Sequence, residues 1–417
     1  DRETPGRVYA TTINTATGGG FFFVSTDNGM TWQPSMRNMP PRLISYSILQ
    51  DERNGNIIYL GTNLGVYRST DRGASWSPIG APKPLEKKPV RRGAKRRASA
   101  SSAASSAKAG RPDEMVKRAQ AALNAAGYNI GEPDGQAGSR TVTALRKFQA
   151  EKLIPVTGKV DDATMTALGL GGGVEATTAS GKLPTIVLEL TDAVNALVHT
   201  TDPGNGRSGI LAATNAGLFR TYDPTQGWEK LSYGSGLDQR TTCISTNSQN
   251  ASTIWVGTAT SGVLVSRDAG ATWEQVPGVP AIAPISAIAQ DKQRSAYVYV
   301  GTKQYFYYSH DGGQKWVRRG GNLTYGDYAS ILINPQNGDE IYVGNAYENG
   351  GGVYFSKDAG INWQRVDPSD RRLPSQRIWA LAFDPLNSRR LFVGSHSAGV
   401  YVAERGGNAS ALSNSDK

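Results

Sequence analysis

The sequence predicts an all-β fold, a seven-bladed β-propeller, interrupted by a small inserted α domain of three helices. Three observations support this prediction. An octapeptide recurs along the chain, from "STDNGMTW" at Ser25–Trp32 to "SKDAGINW" at Ser356–Trp363, mostly at intervals near 45 residues. Each intact copy follows two short runs rich in Val, Ile, Tyr and Phe, which are typical of paired strands. One interval, from Asp71 to Asp223, spans 152 residues and contains a segment with helical periodicity.

The octapeptide is the best-defined element of each predicted blade. A repeat of about 45 residues with four short strands is typical of a propeller blade. Asp and Ser side chains hydrogen-bond nearby amides in tight turns, Gly supplies the positive φ that a hairpin needs, and Trp returns to the sheet as an apolar plug. We therefore predict a structural rather than a catalytic or metal-binding role for the aspartates and tryptophans of the six copies. These are Asp27, Trp32, Asp71, Trp76, Asp223, Trp228, Asp268, Trp273, Asp311, Trp316, Asp358 and Trp363.

Seven sets of strand-forming runs are present, so seven blades are predicted. Residues 1–80 contain blades one and two, and residues 183–417 contain blades three to seven. The first set begins at "RVYATTI" and has no inner strand. Because the chain does not begin with Met, we expect that strand to be encoded upstream of Asp1. The seventh set has Arg405 at the Asp position and no Trp after it.

Composition marks the edges of the insertion. Residues 81–112 are dense in Pro, Ser, Ala and basic residues, which predicts a flexible linker, and residues 171–182 predict a return linker. Between them, residues 113–170 predict three helices. The first runs from about Asp113 to Ala126, the second begins at Ser139, and a short third helix follows Asp161 or Asp162.

The octapeptides resemble the Asp-box, or BNR repeat. This repeat occurs in sialidases, xyloglucan-cleaving glycosidases, sortilin-type receptors and the photosystem II assembly factor family. The resemblance implies a propeller whose boxes lie at the outer edge of the blades, away from the central site. It does not select one activity, because these families share a fold and differ in function.

The inserted segment resembles the peptidoglycan-binding domain of bacterial cell-wall hydrolases. The matching positions are Gln120, Leu123, Gly127, Tyr128, Asp134, Gly135, Gly138, Thr141, Phe148, Gln149, Ile154, Pro155 and Gly158, with Ile154 where the family has Leu. The resemblance implies binding of murein or a related glycan, without catalysis by this domain. It indicates Tyr128, Asp134, Gln136 and Arg140 as candidate ligand contacts, and the alternative for each is surface turn chemistry.

Composition argues against several functional classes. No apolar run is long enough to span a bilayer, and the single Cys243 cannot form an internal disulfide. The three histidines lie far apart in the sequence, so neither a metal site nor a cofactor is expected. The net charge is +10, but residues 81–112 hold ten basic residues and one acidic residue. Since no aromatic residues interleave with them, we expect a solvated tether rather than a specific nucleic-acid site.

Catalysis by the propeller is the less favoured expectation. The arginine of "PPRLIS" at Pro40–Ser45 lacks the surrounding pattern of sialidases. Glycosidases of other families need two carboxylates at a defined separation. Asp202, Asp327 and Glu348 lie in predicted loops, but the sequence does not reveal their spacing across blades.

The sequence therefore favours a non-catalytic bacterial protein that works outside the cytoplasm. The inserted domain would hold it to peptidoglycan, and the propeller would present a rigid face to an envelope protein or a glycan. Two alternatives stay open. One is a glycosidase that acts on a wall or extracellular polysaccharide, and the other is a protein-docking role for the helical domain in an envelope assembly.

Overall fold

The chain divides into two compact units. One is formed by Asp1–Pro84 with Leu183–Lys417, and the other by Leu85–Lys182. The computed structural model describes residues 1–14, 19–79, 114–151, 158–160, 164, 168, 185–281, 284–319, 322–366 and 372–404. The predicted linkers at 81–112 and 171–182 lie outside the described residues. Across the described ranges, no helix has the length and apolar character needed to cross a membrane.

The first unit is a seven-bladed β-propeller, as the sequence predicts. Blades 1 and 2 comprise β1 (Val8–Asn14), β2 (Gly19–Ser25), β3 (Gln33–Pro34), then β4 (Ser45–Gln50), β5 (Ile58–Thr62), β6 (Gly65–Ser69) and β7 (Ser77–Pro78). Blades 3 and 4 comprise β8 (Thr185–Val187), β9 (Val194–Thr201), β10 (Ser208–Thr214), β11 (Gly217–Thr221), β12 (Trp228–Leu231), then β13 (Thr241–Thr246), β14 (Ile254–Thr258), β15 (Val263–Ser266) and β16 (Glu274–Gln275).

The last three blades follow the same pattern. They comprise β17 (Ile285–Gln290), β18 (Val298–Thr302), β19 (Phe306–Ser309), β20 (Val317–Arg319), then β21 (Tyr328–Asn334), β22 (Asn337–Asn345), β23 (Gly352–Ser356), β24 (Gln364–Arg365), and finally β25 (Ile378–Asp384), β26 (Asn387–Ser395) and β27 (Val400–Glu404). A 3-10 turn at Ser248–Asn250 precedes β14.

Among the described residues, six strands line the centre of the ring, where β4, β9, β13, β17, β21 and β25 contact one another in that order. In blade 1 the octapeptide lies between β2 and β3, so β1 is equivalent to the second strand of the other blades. The ring closes between the first and last blades, where Arg390 Nη1 of β26 donates to Asn28 Oδ1 at 2.6 Å.

Blade 3 differs from the predicted four strands. Its sheet has a fifth strand, β8, which pairs antiparallel with β12. Trp228 faces Val187 in this pairing. The outer edge of a sheet offers unpaired amide and carbonyl groups, and β8 satisfies those of β12.

The hydrophobic core lies between consecutive blades. Leu211 of blade 3 packs with Ile244 of blade 4, and both contacting faces are buried. Between blades 5 and 6, an aromatic cluster includes Tyr299, Phe306 and Tyr328, each fully buried. The alternation of apolar residues along each strand therefore supplies one face to each neighbouring blade.

The second unit contains α1 (Glu114–Ala125) and α2 (Ser139–Glu151). Both lie where the sequence predicts helices, and Leu123, Leu145 and Phe148 form their shared core. The predicted third helix is not confirmed, because most of its residues lie outside the described part of the chain. Of that stretch only Thr164 and Leu168 are described, and Leu168 N donates to Thr164 O at 3.0 Å.

Candidate functional site

The intact octapeptides close on themselves through a fixed set of hydrogen bonds. In the first copy, Ser25 Oγ donates to Asp27 Oδ1 at 2.7 Å and accepts from Gly29 N at 2.8 Å. The amide and hydroxyl of Thr31 donate to the two oxygens of Asp27 at 2.9 and 2.6 Å. Hydrogen bonds from Thr31 and then Ser25 lower the pKa of Asp27 to about 2. The Asp27 carboxylate therefore accepts hydrogen bonds from residues of its own turn.

The other copies repeat this arrangement. Ser-to-Asp bonds of 2.7 or 2.8 Å recur at Asp71, Asp268, Asp311 and Asp358. The divergent copy differs, since Asp223 accepts from Thr225 instead. Trp76, Trp228 and Trp363 are buried, whereas Trp32, Trp273 and Trp316 are half-buried. In the described ranges no group of three or more His, Cys, Asp or Glu side chains is placed to hold a metal ion.

Strand direction sorts the loops of the propeller onto two faces. The octapeptides and the hairpins between first and second strands lie at one end of the blades. The connections between second and third strands, and those between blades, lie at the other end, which we call the loop face. Of the loop carboxylates considered above, Asp327 and Glu348 lie on the loop face, and Asp202 lies in the β9–β10 hairpin at the opposite end.

Asp327 and Glu348 come from two loops that are bonded together. Asp327 immediately precedes β21, and its carbonyl accepts from Ala346 N at 2.7 Å. Glu348 lies two residues after Ala346, in the exposed β22–β23 connection. Ser286 Oγ from blade 5 donates to Asp327 Oδ1 at 2.6 Å. The fold therefore brings two carboxylates, separated by 21 residues, to one region of the loop face.

The inner strands explain the position of Ser286. Each of the six has a register shift at its second residue, which is Tyr46, Asn195, Thr242, Ser286, Ala329 or Trp379. A bulge redirects the side chain it carries. Asn195 Nδ2 reaches Thr241 O at 2.8 Å, and Thr242 Oγ1 reaches Ile285 O at 2.6 Å, each in the next blade. Sequence reasoning missed these positions, although each lies one residue after the start of a strand.

Asp238 is a third loop-face carboxylate, and it was not singled out from sequence. Arg240 Nη2 lies 2.9 Å from Asp238 Oδ2, and Thr260 Oγ1 donates to the same oxygen at 2.7 Å. The hydrogen bond from Arg240 is the main cause that lowers the pKa of Asp238 to about 2. The cation of Arg240 offsets the charge of Asp238 and Thr260 occupies one of its oxygens, so Asp238 is a weaker candidate for chemistry than Asp327 or Glu348.

In the helical unit, Tyr128 and Arg140 line one open groove of about 540 Å³. Lys147 and Glu151 of α2 complete its charged wall. Tyr128 Oη donates to Glu151 Oε2 at 2.5 Å, and this hydrogen bond raises the pKa of Tyr128 to about 12. Lys147 Nζ lies 5.8 Å from the centre of the Tyr128 ring. The groove thus offers an aromatic ring, two cations and one carboxylate.

The other two predicted contacts, Asp134 and Gln136, do not line this groove. Gln120, 3% exposed, donates from Nε2 to Asp134 Oδ1 at 2.8 Å and to Gln136 O at 3.0 Å. Its Oε1 accepts from Gly135 N at 2.8 Å. The bond from Gln120 is the main cause that lowers the pKa of Asp134. Both residues thus belong to the hydrogen-bonded Asp-Gly loop.

A second buried glutamine repeats the arrangement around Gln120. Gln149 donates to Thr164 Oγ1 at 2.8 Å and accepts from Gly158 N at 2.8 Å. Gln120 makes the equivalent bonds to Thr141 and Gly135. Along the chain, Gln120, Gly135 and Thr141 are followed by Gln149, Gly158 and Thr164. This repeated order of Gln, Gly and Thr is a signal that sequence reasoning did not use.

Comparisons with known proteins agree with both resemblances. Residues 112–168 match the family model described as a putative peptidoglycan binding domain, and residues 23–34 match the BNR/Asp-box repeat. The chain is therefore an Asp-box propeller that carries a domain of the peptidoglycan-binding type.

One curated relative resembles a short stretch of the chain, and solved structures resemble nearly all of it. A stretch of 68 residues is 37% identical to the xyloglucanase Xgh74A of Acetivibrio thermocellus, covering 14% of this chain and 8% of that protein. An ancestral GH74 enzyme has a TM-score of 0.57 at 15% identity, covering 100% of this chain and 45% of that one. The GH74 xyloglucanase of Xanthomonas campestris has a TM-score of 0.56 at 14% identity, covering 96% and 50%. The chain thus spans about half the length of these two structures and a small part of the curated relative.

The structure of YCF48 bound to a D1 peptide is also similar, with a TM-score of 0.52 at 12% identity, covering 99% of this chain and 91% of that one. Likeness at such low identity establishes the fold. The expectation of a non-catalytic scaffold is wrong, because the matching curated protein is a xyloglucanase and GH74 enzymes are among the similar structures. The comparisons favour the glycosidase alternative.

Proposed function

We propose that the protein is a glycosidase that acts on a wall or extracellular polysaccharide. The observation that carries the proposal is the joining of the Asp327 and Glu348 loops through the Ala346–Asp327 hydrogen bond on the loop face. Most glycosidases cleave their substrate with two carboxyl groups that flank the scissile bond. The 68-residue likeness to a xyloglucanase supports the same activity and suggests a β-glucan as substrate.

The surroundings of the two residues suggest a division of roles. Ser286 Oγ donates to Asp327 Oδ1 at 2.6 Å and so orients this carboxyl group, which makes Asp327 the candidate base or nucleophile. Glu348, in the adjoining loop, is then the second carboxyl group and the candidate acid that protonates the departing sugar oxygen.

In this proposal, the helical unit holds the enzyme on peptidoglycan, outside the bacterial cytoplasm. Its match to the peptidoglycan-binding model supports this role. The groove lined by Tyr128 and Arg140 is the candidate binding site, since an aromatic ring and directed polar groups are typical of small-ligand sites. Asp134 and Gln136 then act indirectly, by shaping the Asp-Gly loop.

A reducing-end assay on xyloglucan, unsubstituted β-glucans and purified peptidoglycan tests the activity. We expect release of reducing ends from at least one glucan, and a loss of at least a hundredfold in Asp327→Asn and in Glu348→Gln. Asp202→Asn is the matched control, because this carboxylate lies on the opposite face, and it should retain full activity. Hydrolysis that persists in both loop-face variants would place the catalytic groups elsewhere. If the wild-type protein hydrolyses none of these polymers, the proposal is overturned.

A further inference from the structure

Three tyrosines form a continuous row on the loop face beside these carboxylates. Tyr305 lies in the β18–β19 connection, Tyr325 in the connection between blades 5 and 6, and Tyr347 in the β22–β23 connection. The ring centres of Tyr305 and Tyr325 are 5.7 Å apart, and those of Tyr325 and Tyr347 are 5.4 Å apart. Tyr325 and Tyr347 are 46% and 41% exposed, which is unusual for neighbouring large rings.

The loops that carry the row are tied to one another. Gly326 N donates to Gln304 O at 3.0 Å, which joins the Tyr325 loop to the Tyr305 loop. Ala346 N donates to Asp327 O at 2.7 Å, which joins the Tyr347 loop to the Tyr325 loop. A surface held in this way loses little freedom when a ligand binds.

The rings meet edge to face rather than in parallel. The planes of Tyr325 and Tyr347 form an angle of 79°, so together they make a notch with two aromatic walls. The guanidinium of Arg318 lies 4.6 Å from the Tyr305 ring centre and covers part of that ring. The free aromatic surface is therefore the notch between Tyr325 and Tyr347.

We propose that this notch is a sugar-binding subsite for an uncharged β-linked glucan. A glucose ring whose hydroxyls are all equatorial presents apolar C–H groups on both faces, and such a face fits an aromatic wall. Asp327 lies two residues after Tyr325 and Glu348 directly follows Tyr347, so their charges disfavour a polyanionic chain. This inference rests on the proposed function, because it assigns a binding subsite beside the proposed catalytic carboxylates.

Binding measured by calorimetry tests the subsite on the full chain, in the wild type and in Asp327→Asn, which removes the proposed catalysis. The probes are cellohexaose, a β-1,4-linked glucuronic acid hexamer with the same ring stereochemistry and added charge, and a β-1,4-linked galactose hexamer, in which the oxygen at C4 of each ring is axial. We expect cellohexaose to bind at least tenfold more tightly than either of the other two.

Substitutions then locate the site. Tyr325→Ala and Tyr347→Ala should each weaken cellohexaose binding about tenfold, while Tyr325→Phe retains most of the affinity because the ring remains. Phe21→Ala is the matched control, since Phe21 is 42% exposed on β2 of blade 1 and should not affect binding. A thermal melt of each variant excludes loss of fold.

The outcomes separate the subsite from the activity. If glucan is hydrolysed but binding is indifferent to both alanine substitutions, the subsite is overturned and the proposed function stands. If cellohexaose binds through the two tyrosines and no glucan is hydrolysed, the subsite stands and the proposed function fails. Preference for the charged hexamer would overturn the substrate class.

Discussion

The indole nitrogen of Trp76 donates a hydrogen bond to the carbonyl of Ser35, 3.1 Å away in blade 1. Its ring also meets Phe22 of blade 1 edge to face, with ring centres 4.7 Å apart. In four other copies of the octapeptide the same nitrogen bonds to the glycine of its own turn. These are Trp32, Trp273, Trp316 and Trp363. The indole of Trp76 therefore hydrogen-bonds to the neighbouring blade, whereas these four indoles hydrogen-bond within their own turns.

Trp76→Ala should lower the free energy of unfolding by about 3–5 kcal/mol, because it removes a buried ring from the blade 1–blade 2 junction. Trp32→Ala should cost less, since Trp32 is half-buried and bonds within its own turn. Urea denaturation followed by intrinsic fluorescence measures both changes. Equal losses in the two variants would contradict a special role for the Trp76–Ser35 contact.

The position directly after the box aspartate should be more stable with glycine than with alanine. Ala269 and Gly312 occupy equivalent positions at φ of 58° and 72°, where a side chain is strained. Ala269→Gly should stabilise the protein by about 0.5–1 kcal/mol, and Gly312→Ala should destabilise it by about 1 kcal/mol. A Cβ on Gly312 would meet nothing within 4 Å, so the effect there is confined to the backbone. If both variants shift the melting temperature in the same direction, this explanation is refuted.

Acid should destabilise the propeller through its boxes. The pKa of Asp27 is lowered to about 2, first by Thr31, and hydrogen bonds also lower the pKa of Asp311, first from Lys315 N. An unfolded Asp titrates near 4, so these carboxylates stabilise the fold above about pH 4, and the contribution disappears as pH falls towards 2. Melting temperature measured from pH 6 to 2 should fall less steeply in Asp27→Asn than in the wild type. Glu52→Gln, an exposed change outside the boxes, should leave the slope unaltered.

Calcium should not affect the boxes, because their aspartate oxygens bond to Ser, Thr and amide groups of their own turns. The melting temperature should be equal with excess Ca²⁺ and with a chelator. A calcium-dependent rise that disappears in Asp71→Ala would show that the box binds the ion instead.

The two buried glutamines should stabilise the helical unit to similar extents. Gln149→Leu leaves Gly158 N without its acceptor, and Gln120→Leu does the same to Gly135 N, so each should cost about 1–3 kcal/mol. Hydrogen exchange of amides in α1 and α2 reports this loss on the full chain. Gln136→Ala is the control, since Gln136 takes part in this network through its backbone carbonyl and its side chain is exposed.

Sedimentation with purified peptidoglycan should depend on the groove of the helical unit. Arg140→Ala and Tyr128→Ala should reduce the bound fraction severalfold without unfolding the domain. Arg118→Ala is the matched control, because Arg118 is an exposed arginine of α1 outside the groove. The effect should persist at 1 M salt, where charges are screened within about 3 Å. If binding disappears in high salt and is unchanged in Arg140→Ala, the basic residues at 81–112 rather than the groove are responsible for it.

Local patterns were sufficient to predict much of the fold. The box Asp, Ser and Gly form a turn within eight residues, so their spacing alone predicts the blades. The same holds for α1 and α2, whose apolar positions repeat every three or four residues. The third predicted helix stays a prediction.

The tertiary structure decided which of these residues meet. Asp202, Asp327 and Glu348 were equivalent in sequence as loop carboxylates, but strand direction places Asp202 at the opposite end. The addition of β8 to blade 3 and the bond from Trp76 to Ser35 likewise depend on contacts between segments far apart or in different blades. The sequence determined the repeating unit, because turn chemistry and side-chain periodicity act over a few residues. The tertiary structure determined the candidate site, because the pairing of β21 with β22 brings the Asp327 and Glu348 loops together at one end of blade 6.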